Sequence, residues 1–510
     1  MAGIGRWTAS DLGDAERLFI PRADDVPLLN AKRTGNEAPV LSRQALRLST
    51  ELAAAAYSFD VDPWLDAGWQ DISFQVDNTL LSGESLNPLE PGLWHGAVSE
   101  WMQYLARSRA QRRNVVNQYR GIRRQTEGEA DTCKALVMLR PVEDGNRFVV
   151  AVGFMGTVRR LYDWISNLRV KPEDGIHQGF LQLTREFMDN APKILFPKTA
   201  RTLGLSTLSL KDILDEMKAG NSRFKLWAAG HSQGGAVLQV FFDALLQGGV
   251  KKENLCGFGF ASPSVASEKR AADMLQYPIT HIINADDITP RVGALEHLGS
   301  CLIFTPDDAT RARFYRTMWQ DDCFRETMGY VSQIRDTRQA ILFAAALLNE
   351  MSALPAEELR PILAGMLGRF LPEKLIAVFD QKLDSGLSFI RRRVETAYAE
   401  VFDGPMTPSV LSYYVGRDRD LLARFGPIRF FRCLAEALAL PHKLVAENDG
   451  RENTAPYLYI ALRGFDELSF QPALSSSVPV WTQPRVSAAK PRRLGATRFA
   501  GLSALRDSRK

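Results

Sequence analysis

Ser232 lies in Gly230-His231-Ser232-Gln233-Gly234, with Gly235 next, and this fits the G-x-S-x-G pattern of a nucleophile elbow. The pattern has a physical basis. A serine on a sharp strand-to-helix turn takes a strained backbone conformation, and side chains beside it would collide with the neighbouring strand and helix, so glycines flank it. Its hydroxyl then projects above the sheet at a helix start, where the backbone amides favour negative charge. Such a serine performs acyl transfer when a neutral histidine takes its proton and a carboxylate holds that histidine in one tautomer. The pentapeptide alone is a weak signal, and a turn in which Ser232 merely caps a helix is the plainer alternative. Candidate acids are Asp286 and Asp287, which follow the apolar run Ile279–Ile283, at the carboxyl end where open sheets place their sites. His177 and His231 precede them, and His297 and His442 follow.

The elements that must position these residues are legible as periodicity. Apolar runs at Ala135–Leu139, Phe148–Phe154, Phe224–Ala229, Leu255–Phe260 and Ile279–Ile283 read as buried strands. Helical spacing fills the gaps. Leu210, Ile213, Leu214 and Met217 share one face, and Val237 to Leu246 is a strong helix stopped by Gly248 and Gly249. The elbow therefore has the context it needs, a buried strand leading in and a helix leading out. Strands alternating with helices predict an α/β fold with a mostly parallel sheet covered on both faces. Upstream, the first forty residues read as an irregular arm, followed by a helix over Arg43–Tyr57 and a stretch holding Trp64 and Trp69. A further helix over Ser99–Arg124 carries Arg109, Arg112, Arg113, Arg120, Arg123 and Arg124 within a sector of about 120°. That face reads either as ordinary solvated surface or as a contact for anionic lipid headgroups. Beyond Pro306 the pattern is helical to about Leu438, Tyr457–Leu462 is a last strand candidate, and Pro472 to Lys510 reads as a disordered basic tail.

Composition sets outer bounds. The chain has 510 residues, enough for about three domains. Hydrophobic residues at 45% and charged residues at 24% exclude wholesale disorder, collagen and coiled coil. The formal net charge of +4 is too mild to point to a nucleic-acid binder. Five cysteines without a C-x-x-C pair argue against a disulfide framework or thiolate zinc site. No His/Cys/Asp cluster has ligand spacing, so neither metal nor cofactor is expected. The longest apolar run noted, Ala340–Leu348, is far short of the roughly 20 residues of a transmembrane helix. Met1–Phe19 shows no apolar core of a signal peptide, so the expected location is the cytoplasm or outside the cell by a signal-independent route.

Taken in order, five blocks between about Ala135 and His442 resemble the class 3 lipases, the fungal-lipase-like branch of the α/β-hydrolases. The first is Val150-Ala151-Val152-Gly153-Phe154-Met155-Gly156-Thr157 with Asp163-Trp164-Ile165-Ser166-Asn167-Leu168, similar to the family's strand, Arg-Gly-Ser/Thr and lid-helix block. The others are His177-Gln178-Gly179-Phe180, the elbow, Gly259-Phe260-Ala261-Ser262-Pro263, and Asn284-Ala285-Asp286-Asp287-Ile288-Thr289-Pro290-Arg291. Met155 stands where the family has arginine, and Thr289 where it has valine.

The resemblance implies an α/β-hydrolase, to which the helical patterns of this chain add an N-terminal helical extension and a helical cap insertion. It implies Ser232 as nucleophile, an oxyanion hole from Thr157 and the Gln233 amide, and Trp164 on an amphipathic lid, where the other reading is ordinary core. Family spacing selects Asp287 as the acid and leaves Asp286 as a solvated turn residue; His177 becomes structural. Triad order in this fold is Ser, Asp, His, which leaves His442 or His297. His442, in Pro441-His442-Lys443-Leu444, resembles the family's closing block and is favoured if 306–438 is an insertion whose ends meet near the site; His297 is the alternative if that segment is an appended domain. The expected organisation is 1–130 as arm and extension, 131–305 as hydrolase core, 306–438 as cap insertion, 439–471 as the end of the core and 472–510 as tail. The expected function is a lipase or carboxylic-ester hydrolase acting on triacylglycerol or phospholipid, with peripheral contact to anionic membrane. A soluble short-chain esterase or thioesterase, or an inactive hydrolase-fold scaffold, are the competing readings.

Overall fold

The computed structural model describes residues 26–27, 40–41, 43–58, 62–71, 135–141, 147–156, 172–189, 210–220, 223–272, 277–291, 296–367, 383–402, 408–444, 455–467 and 470–473. Thr157 and Trp164, the helix expected over Ser99–Arg124 and the segment 479–510 lie outside them.

An eight-stranded sheet organises the chain. Its strands are β1 (Gln70–Asp71), β2 (Ala135–Pro141), β3 (Phe148–Phe154), β4 (Phe224–His231), β5 (Leu255–Phe260), β6 (Ile279–Asn284), β7 (Ser300–Phe304) and β8 (Phe470–Ala473). In space they run 8-7-6-5-4-3-2-1, so every strand lies beside its sequence neighbour. The five from β3 to β7 are mutually parallel, and β1, β2 and β8 add antiparallel edges. The fold is an α/β-hydrolase with a mostly parallel sheet.

Pleating divides the apolar residues of each strand between two cores. From β3, Phe148, Val150, Val152 and Phe154 face a layer formed by α2 (Gln178–Asp189), α3 (Leu210–Lys218) and α4 (Gln233–Gln247). The helical stripe read in the sequence, Leu210, Ile213, Leu214 and Met217, is the buried face of α3. Val149 and Ala151 point the other way, with Trp227, Phe258 and Ile282, into a core capped by α1 (Arg43–Ser58) and a Trp64–Trp69–Trp227 cluster. Trp227 Nε1 donates to Ser49 Oγ at 2.8 Å, which satisfies the one polar atom that burying an indole exposes to an apolar setting.

After β7 come helices α5 (Asp308–Trp319), α6 (Asp322–Val331), α7 (Thr337–Ser352), α8 (Ala356–Leu367), α9 (Leu383–Phe402), α10 (Pro408–Phe425) and α11 (Pro427–Ala439). Their apolar faces, including Phe314, Phe324, Phe343 and Phe430, belong to the same cluster as α1 and the first sheet face. These helices thus share a core with that face of the sheet, and residues 1–478 group as one compact unit.

Three expectations need correction. Tyr457–Leu462 is not a strand; it is part of α12 (Pro456–Glu467), which opens with a proline at a position helices accept. The segment from Pro472 does not leave the fold at once, because Pro472 and Ala473 pair with Leu302 and Cys301 as β8. An edge strand tolerates proline, whose missing N–H faces away from the ladder. The arm holds a short antiparallel pairing, Val26–Pro27 with Val40–Leu41. Among the described residues no helix is long and apolar enough to cross a membrane.

Candidate active site

Ser232 stands between β4 and α4 with φ 57° and ψ −131°, a region that non-glycine residues enter only when the surroundings enforce it. The surroundings are visible in the glycines. A Cβ on Gly230 would come within 2.3 Å of the Gly234 carbonyl oxygen, and one on Gly234 within 2.3 Å of the Phe154 carbonyl oxygen of β3. No other residue type fits either place. The Ser232 side chain makes no helix-capping hydrogen bond, so the plain capping alternative fails. The side chain is 7% exposed, and Gln233 is the first residue of α4, where backbone N–H groups point out beyond the helix end.

Asp287 and His442 come from opposite ends of the helical segment. Asp287 follows β6, and His442 follows α11. His442 Nδ1 lies 2.9 Å from Asp287 Oδ2, and since a carboxylate oxygen accepts, the N–H of this contact is on Nδ1. Asp287 is wholly buried and accepts two further hydrogen bonds: the Thr289 amide donates to Oδ1 at 2.9 Å, and the Tyr457 hydroxyl to Oδ2 at 2.8 Å. Burial pushes its carboxyl up, but His442, the Thr289 amide and the Tyr457 hydroxyl outweigh burial and hold it below the usual carboxylate range. Tyr457, buried beside that carboxylate, is pushed well above the ordinary tyrosine value and remains a donor. Its hydroxyl also accepts from the Asn284 amide at 3.0 Å, while Asn284 Nδ2 donates to the Pro441 carbonyl at 3.2 Å.

His231 is a strut between elbow and base. Nε2 meets the His442 carbonyl at 2.7 Å, and a carbonyl only accepts, so Nε2 carries the hydrogen. Nδ1 then accepts from the Tyr57 hydroxyl at 2.8 Å. The His231 and His442 rings sit 4.6 Å apart. Burial first, and the His442 charge second, press His231 down to about 3, which keeps it neutral. Gly156 abuts the same place; a Cβ there would fall 2.2 Å from the Tyr57 hydroxyl and 2.5 Å from the His231 carbonyl.

His297 is elsewhere engaged. It is fully buried, with Nε2 2.8 Å from the Ser262 carbonyl and its ring 5.0 Å from that of His281. His177 is buried and stacked on Phe180 at 4.1 Å. Met155, in place of the family's arginine, packs half-buried against the core. Asp286 departs from expectation. It is 1% exposed rather than solvated, and Arg311 grips both its oxygens at 2.9 Å. Its cation lies on the insertion, where no local pattern in the sequence announces it. Tyr57 was equally hidden, since nothing near it in the chain marks a partner 174 positions away. Among the described residues no group of three or more His, Cys, Asp or Glu is placed to hold a metal ion.

Residues 151–297 match the family model for lipase (class 3). Over that segment the chain is similar to the class 3 lipases. The matched segment holds Ser232 and Asp287 and stops short of His442. A search of curated proteins returned no match. Among solved structures, the chain is similar to a triacylglycerol lipase described as having a serine-protease triad at its catalytic centre, at 23% identity over 35% of this chain and 63% of that one, with a TM-score of 0.26. It is also similar to the Rhizomucor miehei lipase–propeptide complex (23% identity, 34% and 53% covered, TM-score 0.25). A third is the lipase of Rhizopus microsporus var. chinensis (20% identity, 34% and 56% covered, TM-score 0.24). The chain spans less than two thirds of the length of each.

Proposed function

We propose that the protein is a serine ester hydrolase acting on lipid esters, triacylglycerol or phospholipid, through Ser232, His442 and Asp287. The observation that carries the reading is the Asp287–His442 hydrogen bond of 2.9 Å, linked to the elbow by His231, which precedes the strained Ser232 and bonds the His442 carbonyl at 2.7 Å. In the first step Ser232 Oγ attacks the ester carbonyl carbon and passes its proton to His442 Nε2, while Asp287 stabilises the imidazolium through Nδ1–H. The carbonyl oxygen gains the negative charge, and the Gln233 amide with Thr157 are its proposed donors. Losing one such donor typically costs about 3–4 kcal/mol of barrier stabilisation. His442 returns the proton to the leaving alkoxide oxygen, and an acyl ester remains on Ser232. Water then repeats the cycle, with His442 as base against the water and as acid toward Ser232.

A fluorophosphonate probe tests the reading. Covalent labelling of the wild-type protein, absent in Ser232→Ala, is the expected result; a wild-type protein that fails to react is the inactive scaffold instead. Esters from acetyl to palmitoyl, assayed alongside phospholipid vesicles, then fix the substrate. Turnover confined to the shortest chains would replace the lipid reading with a soluble esterase.

A further inference from the structure

We infer that Arg311, on the insertion helix α5 and outside the segment matched to the family, is a positioning residue for Asp287, acting through Asp286. The inference rests on the triad proposed above. Arg311 presents two nitrogens to the two carboxylate oxygens of Asp286, Nε to Oδ2 and Nη2 to Oδ1, each at 2.9 Å. A fork on a fork fixes direction as well as distance, which a point charge does not. Tyr315, one helical turn on, adds its hydroxyl to Asp286 Oδ2 at 3.3 Å, since residues four apart share a helix face. Asp286 is almost fully buried, and Arg311 is 21% exposed, so water competes little for the pair.

What is fixed at Asp286 passes directly to its chain neighbour. The Asp286 amide bonds Asn284 Oδ1 at 3.1 Å, and the Asp287 amide bonds the Asn284 carbonyl at 3.0 Å. Arg291 donates to the Ala285 carbonyl in the same turn. The acid loop is therefore held from within by Asn284 and Arg291, and from the insertion by Arg311 and Tyr315. The insertion delivers His442 at its far end and steadies the partner of His442 at its near end.

The test uses the full-length protein with Arg311→Gln, Asp286→Asn, the double variant and Arg311→Lys. Arg419→Ala serves as control; it breaks an ion pair with Glu350 within the insertion, away from the acid loop. Two readouts are taken: kcat and KM on a soluble ester, and the downfield NMR signal of the His442 Nδ1 proton. Each single variant is expected to lose about 10- to 100-fold in kcat with KM unchanged, as small misplacements of catalytic groups do. The double variant should be no worse than the worse single, because both act through one contact. Arg311→Lys should recover little, lacking the fork. The His442 proton signal should shift or vanish in Arg311→Gln and persist in Arg419→Ala. Multiplying losses in the double, an unchanged kcat in Arg311→Gln, or an equal loss in Arg419→Ala would overturn the inference. If the wild-type protein proves inactive on every ester, the hydrolase reading fails by itself, and the proton signal still decides: its persistence unshifted in Arg311→Gln refutes the positioning role.

Discussion

At the scale of residues, the two histidines downstream of Asp287 part company through their partners. His442 meets a buried carboxylate and keeps one nitrogen for a proton, whereas His297 spends Nε2 on a backbone carbonyl. On the proposed triad, His442→Ala should lower turnover on a soluble ester by about six orders of magnitude, as loss of the base does in such triads. His297→Ala should leave turnover near normal while the unfolding midpoint drops, since an unpaired buried carbonyl costs about 1–3 kcal/mol. Kinetics and thermal melts of the two variants check both, and the reverse outcome moves the base to His297. The depressed Asp287 carboxyl carries a second expectation. A group whose folded value lies below its unfolded one adds stability above the unfolded value, about 3.9 for aspartate, and loses it as the pH falls through the folded value. Urea unfolding of wild type and Asp287→Asn should accordingly show a gap at pH 7 that narrows toward pH 3. A gap of constant size would mean that the carboxylate is not stabilised in the folded chain.

Among the elements, what could be read in advance were the ones whose neighbours cover both faces. Phe148–Phe154 and Leu255–Phe260 are strands with the bounds the apolar runs suggested, because a central strand has to be apolar on each side. The elbow was legible for the same reason, its glycines reporting backbone approaches that the fold enforces. Short apolar runs with mixed surroundings misled: Tyr457–Leu462 fits a strand and a helix about equally in period, and only the preceding proline favoured the helix. Phe470–Ala473 was missed because an edge strand needs little apolar content. The Asp286–Arg311 and Tyr57–His231 contacts join distant segments and leave no periodic trace. The edge strand has a measurable role. Deleting residues 479–510 should leave activity on soluble esters intact, whereas deletion from Phe470 strips β8 from β7 and should lower the melting temperature by about 2–4 °C for each kcal/mol lost. Equal melting temperatures for the two truncations would show that β8 adds nothing.

For the molecule as a whole, charge is the property that the sheet does not explain. From Trp481 onward the basic residues are Arg485, Lys490, Arg492, Arg493, Arg498, Arg506, Arg509 and Lys510, against Asp507 alone. At about 1 kcal/mol per basic residue near an anionic surface, full-length protein should sediment with anionic vesicles at low salt more strongly than the 1–478 form, and equal binding would refute this. The strand order carries a different consequence, one of timing. Because each strand lies beside its predecessor, a chain leaving the ribosome can extend the sheet from one edge toward the other as it is made. Ser232 and Asp287 are made once β7 is, but His442 follows the described helices α5 to α11. Closing the long loop between β7 and the histidine adds only slowly to the entropic penalty, about 0.6 kcal/mol per doubling of length, so the delay is one of synthesis more than of equilibrium. On the proposed triad, a nascent chain that ends before His442 would hold Ser232 and Asp287 without their third member, and activity would wait for the segment beyond α11.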